Sequence, residues 1–597
     1  VGQRVLLRAS RGLDRVAPWH RLPRGLGLVG LLGIRIALRA HNLYDPVPPR
    51  DGAAAPPAGG PGRPFGRNQP LWGMPSRDPE DLATPSPRVV SDRLLARNGR
   101  FRPVPFLNLL AASWLQFMVH DWMSHGPGRP GEEIRIPLDA DDRWAARSPG
   151  GDMLVRRSRP SEDPRAPAGA AVFDNTESAW WDGSQVYGST PAREALLREG
   201  VGGRLTIGAD GLLPLEGDSG VDLTGVNGNW WLGLAAMHTL FAREHNAVCA
   251  MLAAAHPDWD DERLFATARR ITAAVMAKIH TVEWTPAVVP HPTVRKAMLS
   301  NWYGILGPRG SRTLRRLTRS DTFIGIPGSR CDDHGVPYSL TEEFVSVYRM
   351  HPLLPDEMAL RDGDGWTRVS MRDVTGPAAR PAMESHGLGA VLDAFGHVRP
   401  GMLALHNYPD ALRDLERPTA GHGSERRIDL ATVDIVRDRE RGVPRYNDFR
   451  RMLRMPPAAS FGELTGGDEA AAEELCEVYG DVERVDLMVG CYAEPLLEGF
   501  GFSETAFRIF VLMASRRLKS DPRFTDEWGP AHYTAEGMAW IEEATMAAVI
   551  RRHVPELAAT IDALPASPFA PWGPDPLAPA EDPSPAQVQL NAEVTVK

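Results

Sequence analysis

The stretch LNLLAASWLQFMVHDW, residues 107–122, decides the fold. It is almost wholly apolar until it reaches His120 and Asp121. A helix that is hydrophobic all round belongs inside a large core, not on its surface. Two ionisable groups in such a helix need partners, because burying them unpaired is expensive. Adjacent helical residues point about 100° apart, so His120 and Asp121 serve two different sites. Gln116 lies one turn before His120, on the same face. Taken by itself, His120 reads more simply as a core histidine with satisfied nitrogens.

Outward from this stretch the pattern stays helical, over residues 231–252, 264–282, 340–351 and 504–519. Long strand-like alternation is scarce. No glycine-rich loop follows a strand, which argues against a nucleotide cofactor. The expected architecture is mainly α, with buried helices at the centre, where helical proteins hold cofactors. Residues 46–67 and 565–585 are rich in Pro, Gly and Ala or in Pro, and are expected to be irregular. No solenoid-length repeat is present.

The chain has 597 residues, of which 43% are hydrophobic and 24% charged, ordinary values for a globular protein able to bury a sizeable core. A net charge of −9 weighs against a nucleic-acid partner. Cys249, Cys331, Cys476 and Cys491 are scattered, which fits plain thiols in a reducing, cytoplasmic compartment. No signal peptide is expected. The most apolar N-terminal stretch, GLGLVGLLGIRIAL over residues 25–38, is too short to span a bilayer and is interrupted by Arg35. It reads as a core helix, with an interfacial helix in peripheral contact with a membrane as the alternative.

Two more clusters carry chemistry. In SLTEEFVSVYRMHPLLP, residues 339–355, Ser339 and Glu342 form a capping-box pattern and Pro352 ends the helix at His351. Tyr348 and His351 then share one face. A histidine at a helix end suits an axial haem ligand, with the tyrosine beside the same haem; the bland alternative is an aromatic core stripe. In NTESAWWDGSQVYGS, residues 175–189, Ser178, Asp182 and Ser184 are hard oxygen donors spaced closely enough for Ca²⁺. The segment lacks EF-hand spacing, and alone it reads as a solvated polar loop.

Together, QFMVHDW, WWDGSQVYGS, MHTLFAREHNAV, VSVYRMHPLLPD and RDRERGVPRYNDFR resemble, in order, the motifs of the animal haem-peroxidase superfamily. KIHTVEWTP, NWYGILG, HGVPYSLTEEF, GFSETAFRIF and MASRRL resemble its fatty-acid α-dioxygenases. The likeness runs from about Trp19 to Trp572. It implies a haem peroxidase/cyclooxygenase-like catalytic domain at residues 101–570. Residues 1–100, a helix and a Pro/Gly-rich loop, pack on it, and residues 571–597 form an extended tail.

Residue by residue, the resemblance implies His120 as distal histidine, Tyr348 as radical tyrosine and His351 as iron ligand, with Gln116 and Asp434 supporting them. It implies calcium ligands Asp121, Ser178, Trp180 (through its carbonyl), Asp182 and Ser184. His280, Thr285 and Arg517 would hold the substrate carboxylate, with Arg516 adjacent. Val119 and Trp230 stand where peroxidases carry acids esterified to haem, so a non-covalent haem b is expected. Asn227 replaces the arginine that helps those enzymes break the O–O bond. The implied reaction places O₂ on C2 of a fatty acid through a tyrosyl radical, after activation by peroxide. The alternatives are a mid-chain fatty-acid dioxygenase, a general haem peroxidase, or a non-enzymatic adhesion module.

Overall fold

The computed structural model describes residues 18–47, 58–75, 77–129, 131–148, 150–363, 365–416 and 427–578. Residues 1–17 of the expected N-terminal segment, 48–57 of the expected loop and 579–597 of the expected tail lie outside the described residues.

Eleven helices position the site. They are α1 (Arg24–Arg39), α2 (Leu109–Val119), α3 (Leu232–Ala255), α4 (Asp261–Ile279), α5 (Pro292–Tyr303), α6 (Gly307–Leu314), α7 (Asp321–Ile324), α8 (Glu342–Val347), α9 (Ala379–His397), α10 (Leu430–Glu440) and α11 (Glu504–Lys519). α2 and α3 lie at the centre, packed on each other and both on α9, while α4 packs on α3. Trp114 of α2 is fully buried among Phe117, Phe241 and Phe569, as an all-apolar helix requires. α1 packs on α5 and α11, and α8 also packs on α11. One continuous core runs from Trp19 to Phe569.

Caps explain the helix starts. Asn108 accepts a hydrogen bond from Ala111 N–H, Asp260 from Arg263 N–H and Ser503 from Ala506 N–H. Strands among the described residues are confined to two-stranded antiparallel ribbons. The ribbon Glu133–Pro137 with Asp152–Arg156 sets Ile134 opposite Val155 and Ile136 opposite Met153, and these pack with Leu82, Trp144 and Val436 in a small second core.

Two sequence expectations need correction. The helix expected over 340–351 is capped by Thr341, whose hydroxyl accepts from Phe344 N–H at 3.3 Å, not by a Ser339–Glu342 box. Glu342 is drawn away by the His125 ring, 3.0 Å from its carboxylate. The helix stops at Val347, Tyr348 closes it, and His351 begins a separate 3₁₀ turn at Pro352. Tyr348 and His351 therefore do not share one regular helix. The helix expected through residue 282 is regular only to Ile279; His280–Trp284 form a π turn that runs on into Thr285–Val288. Such wider turns re-aim side chains and recur at functional sites.

Candidate active site

The π turn and the end of α8 face one cavity. His280, Thr285, Tyr348 and Arg517 line it together with Trp122 and Phe510, and its remaining wall is largely apolar. Tyr348 is held edge-on by Trp122, Phe344 and Phe510, with ring centroids 5.5, 4.7 and 4.9 Å away. Its hydroxyl has no hydrogen-bond partner among the described residues, and burial pushes the phenol pKa up, so it stays protonated.

Arg517 is almost completely buried. Its Nε donates to Ala179 O at 2.6 Å and its Nη2 to Trp180 O at 2.7 Å, and its plane lies 3.7 Å over Trp122. Nη1 is buried with no partner among the described residues. His280 is stacked on Trp284 with 4.5 Å between ring centroids, and its Nδ1 is likewise buried without a partner. Burial, with Arg517 nearby, pushes the His280 pKa down to about 3, so the ring is neutral. Buried donors rarely go unpaired, and two in one cavity wall suit an anionic ligand. Thr285 is placed differently: its hydroxyl donates to His280 O at 2.8 Å, within its own turn. Arg516 lies outside the cavity wall, with Nη2 donating to Asp333 O and Val336 O.

His351 is oriented by carboxylate and phenol. Its Nδ1 lies 2.8 Å from Asp434 Oδ2 and 3.0 Å from the Tyr408 hydroxyl, which itself donates to Asp434 Oδ2 at 2.8 Å. Burial raises the Asp434 pKa, but His351 and Arg349 outweigh it and hold the carboxyl below its usual value. An ionised Asp434 keeps the proton on Nδ1 and leaves Nε2, which has no partner among the described residues, as a lone-pair donor. That arrangement fits a histidine ligand to haem iron.

His120 and Asp121 diverge where α2 ends. His120 is half-buried, with Nε2 2.5 Å from Gly228 O and Nδ1 buried without a partner. Burial pushes its pKa down to about 4. Gln116 accepts from Trp231 Nε1–H at 2.6 Å and donates to Asn229 O at 3.4 Å. Asn227 donates to Glu216 and to Asp222 O, which commits the amide away from His120.

Asp121 turns the other way. Its Oδ2 accepts from the Ser184 hydroxyl and from Gln185 N–H, while Oδ1 is buried and unpartnered. Burial and the neighbouring Asp182 push its pKa up to about 8. Ser178 donates to Asp182 Oδ2 at 2.8 Å. Arg269 and Arg523 stand 3.7 and 3.9 Å from Asp182, and the Trp180 carbonyl takes the Arg517 bond described above. Among the described residues no group of three or more His, Cys, Asp or Glu clusters for a metal; this site offers two carboxylates and hydroxyls.

Two residues escaped the sequence. Tyr408 is 57 positions from His351, in a segment without helical periodicity. His238 of α3 is fully buried, 5.7 Å from the His120 ring, and neither of its nitrogens has a partner among the described residues. Its place in MHTLFAREHNAV was the one available signal.

The mainly helical fold around these histidines is that of the animal haem peroxidases, whose family profile matches residues 53–564; the chain belongs to that haem-binding family. Its kinship is narrower still. It is 38% identical to α-dioxygenase 2 of Arabidopsis thaliana, over 94% of this chain and 92% of that protein, and 38% identical to the α-dioxygenase PIOX of Oryza sativa subsp. japonica, over 92% of each. The crystal structure of the Oryza sativa fatty acid α-dioxygenase with palmitic acid superposes with a TM-score of 0.87 at 36% identity, covering 96% of this chain and 98% of that one. The chain is a member of the α-dioxygenase family. No helix among the described residues is long and apolar enough to cross a membrane.

Proposed function

We propose that this enzyme adds O₂ to C2 of a fatty acid, giving a 2-hydroperoxy acid. One observation carries the reading: Tyr348 opens into the same apolar cavity as two unpartnered buried donors, Nδ1 of His280 and Nη1 of Arg517. A carboxylate held there leaves C2 as the first carbon able to reach the tyrosine. The apolar walls suit an alkyl chain. Pinning the head group makes the choice of carbon independent of unsaturation.

His351 would hold a haem that has no ester links to the chain, and haem bound there would supply the oxidising equivalent, drawn from peroxide, that removes an electron and the phenolic proton from Tyr348. His120, neutral in its buried setting, would accept or return the peroxide proton. The Tyr348 phenoxyl radical abstracts one hydrogen from C2, and O₂ adds to the carbon radical. The peroxyl radical then takes the hydrogen back from Tyr348, closing the cycle. The absence of a carboxylate at Val119 and Trp230 supports a haem without ester links. A Ca²⁺ ion at Asp121, Asp182, Ser178 and Ser184 would answer the unpartnered Asp121 Oδ1.

Mass spectrometry of products from palmitate, O₂ and trace peroxide tests the reaction. The expected products are the 2-hydroperoxide and the aldehyde one carbon shorter. Inert palmitate with mid-chain oxygenation of linoleate would overturn the placement of the substrate.

A further inference from the structure

The cavity wall also includes Leu28, Leu32, Asn301, Ile305, Asp321 and Thr322, from α1, α5 and the segment around α6 and α7, and Ile305 among them is exposed to solvent. Large apolar side chains of these same segments stand in solvent. Leu26 is 53% exposed, Val29 49%, Leu306 60%, Leu317 81% and Phe323 46%. With Ile305 they make up half of the large hydrophobic residues exposed among the described residues, although they come from two short segments. α1 packs on α5, and α5 packs on both α6 and α7, so these segments lie side by side. Scattered exposed leucines need no explanation, but a cluster at a cavity mouth does.

Charge separates this face from the rest of a chain with net charge −9. Residues 291–320 contain Arg295, Lys296, Arg309, Arg312, Arg315, Arg316 and Arg319, and residues 21–41 contain Arg21, Arg24, Arg35 and Arg39; neither segment contains Asp or Glu. Arg35 is tied to Asp321 at 3.7 Å and Arg319 to Asp526 at 2.5 Å. Arg309, Arg312 and Arg316 are exposed and have no ion-pair partner among the described residues. Exposed apolar side chains mixed with unneutralised arginines on short amphipathic helices match a bilayer interface, with hydrocarbon below and lipid phosphate at head-group level.

We infer that this face docks on an anionic lipid surface and presents the cavity mouth to it, so that fatty acid enters from the lipid. Leu306, Leu317 and Phe323 enter the head-group layer beside Leu26 and Val29 of α1, and Arg309, Arg312 and Arg316 meet phosphate. The inference rests on the reading of the cavity as a fatty-acid site. Sequence alone favoured α1 as a plain core helix; α1 does pack on the core, but its outer face joins this surface.

The test uses haem-loaded full chain with vesicles of phosphatidylcholine alone or containing phosphatidylglycerol, read by co-sedimentation. Binding is expected only with phosphatidylglycerol and is expected to fall with salt. A basic residue near an anionic surface is worth about 1 kcal/mol, roughly fivefold in partitioning. Reversal of Arg309, Arg312 and Arg316 to Glu is therefore expected to weaken binding at least ~100-fold, and Leu317→Asp with Phe323→Asp to weaken it independently. None of these residues lines the cavity. Melting temperature, Soret spectrum and turnover of a soluble short-chain acid are expected to stay at wild-type values while turnover of vesicle-borne palmitate drops. Equal binding to both vesicles, or full binding by the triple reversal, overturns the inference. So does a dimer in analytical ultracentrifugation that the same variants dissociate, since the face would then cover a second copy. Failure to oxygenate any fatty acid, with vesicle binding intact, would instead refute the cavity reading.

Discussion

Arg517→Ala tests whether the guanidinium reads a substrate carboxylate or only braces the fold. Nε and Nη2 are committed to Ala179 O and Trp180 O, so Nη1 is the nitrogen left for a ligand. The grip is thus narrower than the two-bond fork that an arginine can offer a carboxylate. A hydrogen bond to a charged group contributes about 1.5–3 kcal/mol. Its loss is expected to raise KM for palmitate roughly 10- to 160-fold, with kcat changing less. The substitution also strips donors from two carbonyls, at about 1–3 kcal/mol each, and removes the stack on Trp122. Arg517→Lys keeps a charge and serves as the milder variant. The deciding assay compares palmitate with its methyl ester, which has the same chain without the negative charge. Wild type is expected to favour the acid by about the factor just given, and both variants to lose that preference while keeping a normal Soret band. If acid and ester suffer equally, Arg517 acts through the fold and the carboxylate lies elsewhere.

Tyr348→Phe removes a hydroxyl that has no hydrogen-bond partner among the described residues and keeps the edge contacts to Trp122, Phe344 and Phe510. Stability is expected to change by less than about 0.5 kcal/mol in denaturant melts, well under the usual effect of a core substitution, while fatty-acid oxygenation disappears; residual oxygenation would move the radical to another residue. Removing divalent cations, or Asp182→Asn, is expected to lower the melting temperature and haem retention through Asp121 and its neighbour His120; unchanged melting after exhaustive chelation would refute the cation. His245 and His280 are buried and neutral, with burial pushing their pKa values down to about 4 and about 3. The unfolded chain protonates each below about pH 6.5, so stability is full above that pH and falls by about 1.4 kcal/mol per pH unit per histidine as pH drops toward 4. Melting followed against pH should show that slope, and His245→Gln should reduce it by one proton; an unaltered slope would show that His245 is not held neutral.

The sequence by itself determined the helical core. Residues 107–122 could only be a buried helix, because apolar side chains on every face exclude a surface position. The placing of His120 and Asp121 on separate sites followed from local geometry, and the end of α2 keeps that separation. Periodicity, however, tells which face is buried and not what lies against it. Glu342 left its capping box for His125, 217 positions away. Tyr408 joined His351 and Asp434 across a gap that no motif spacing spans. Which of two adjacent arginines reaches the cavity was settled by how α11 docks, since neighbouring side chains on a helix diverge by about 100°. The exposed apolar and basic surface around Leu306 and Leu317 exists only because α1 and the 291–323 segment, far apart in the chain, pack side by side. A buried polar group must find its partner wherever folding brings one, and long-range docking of helices, unlike local pattern, decides where that is.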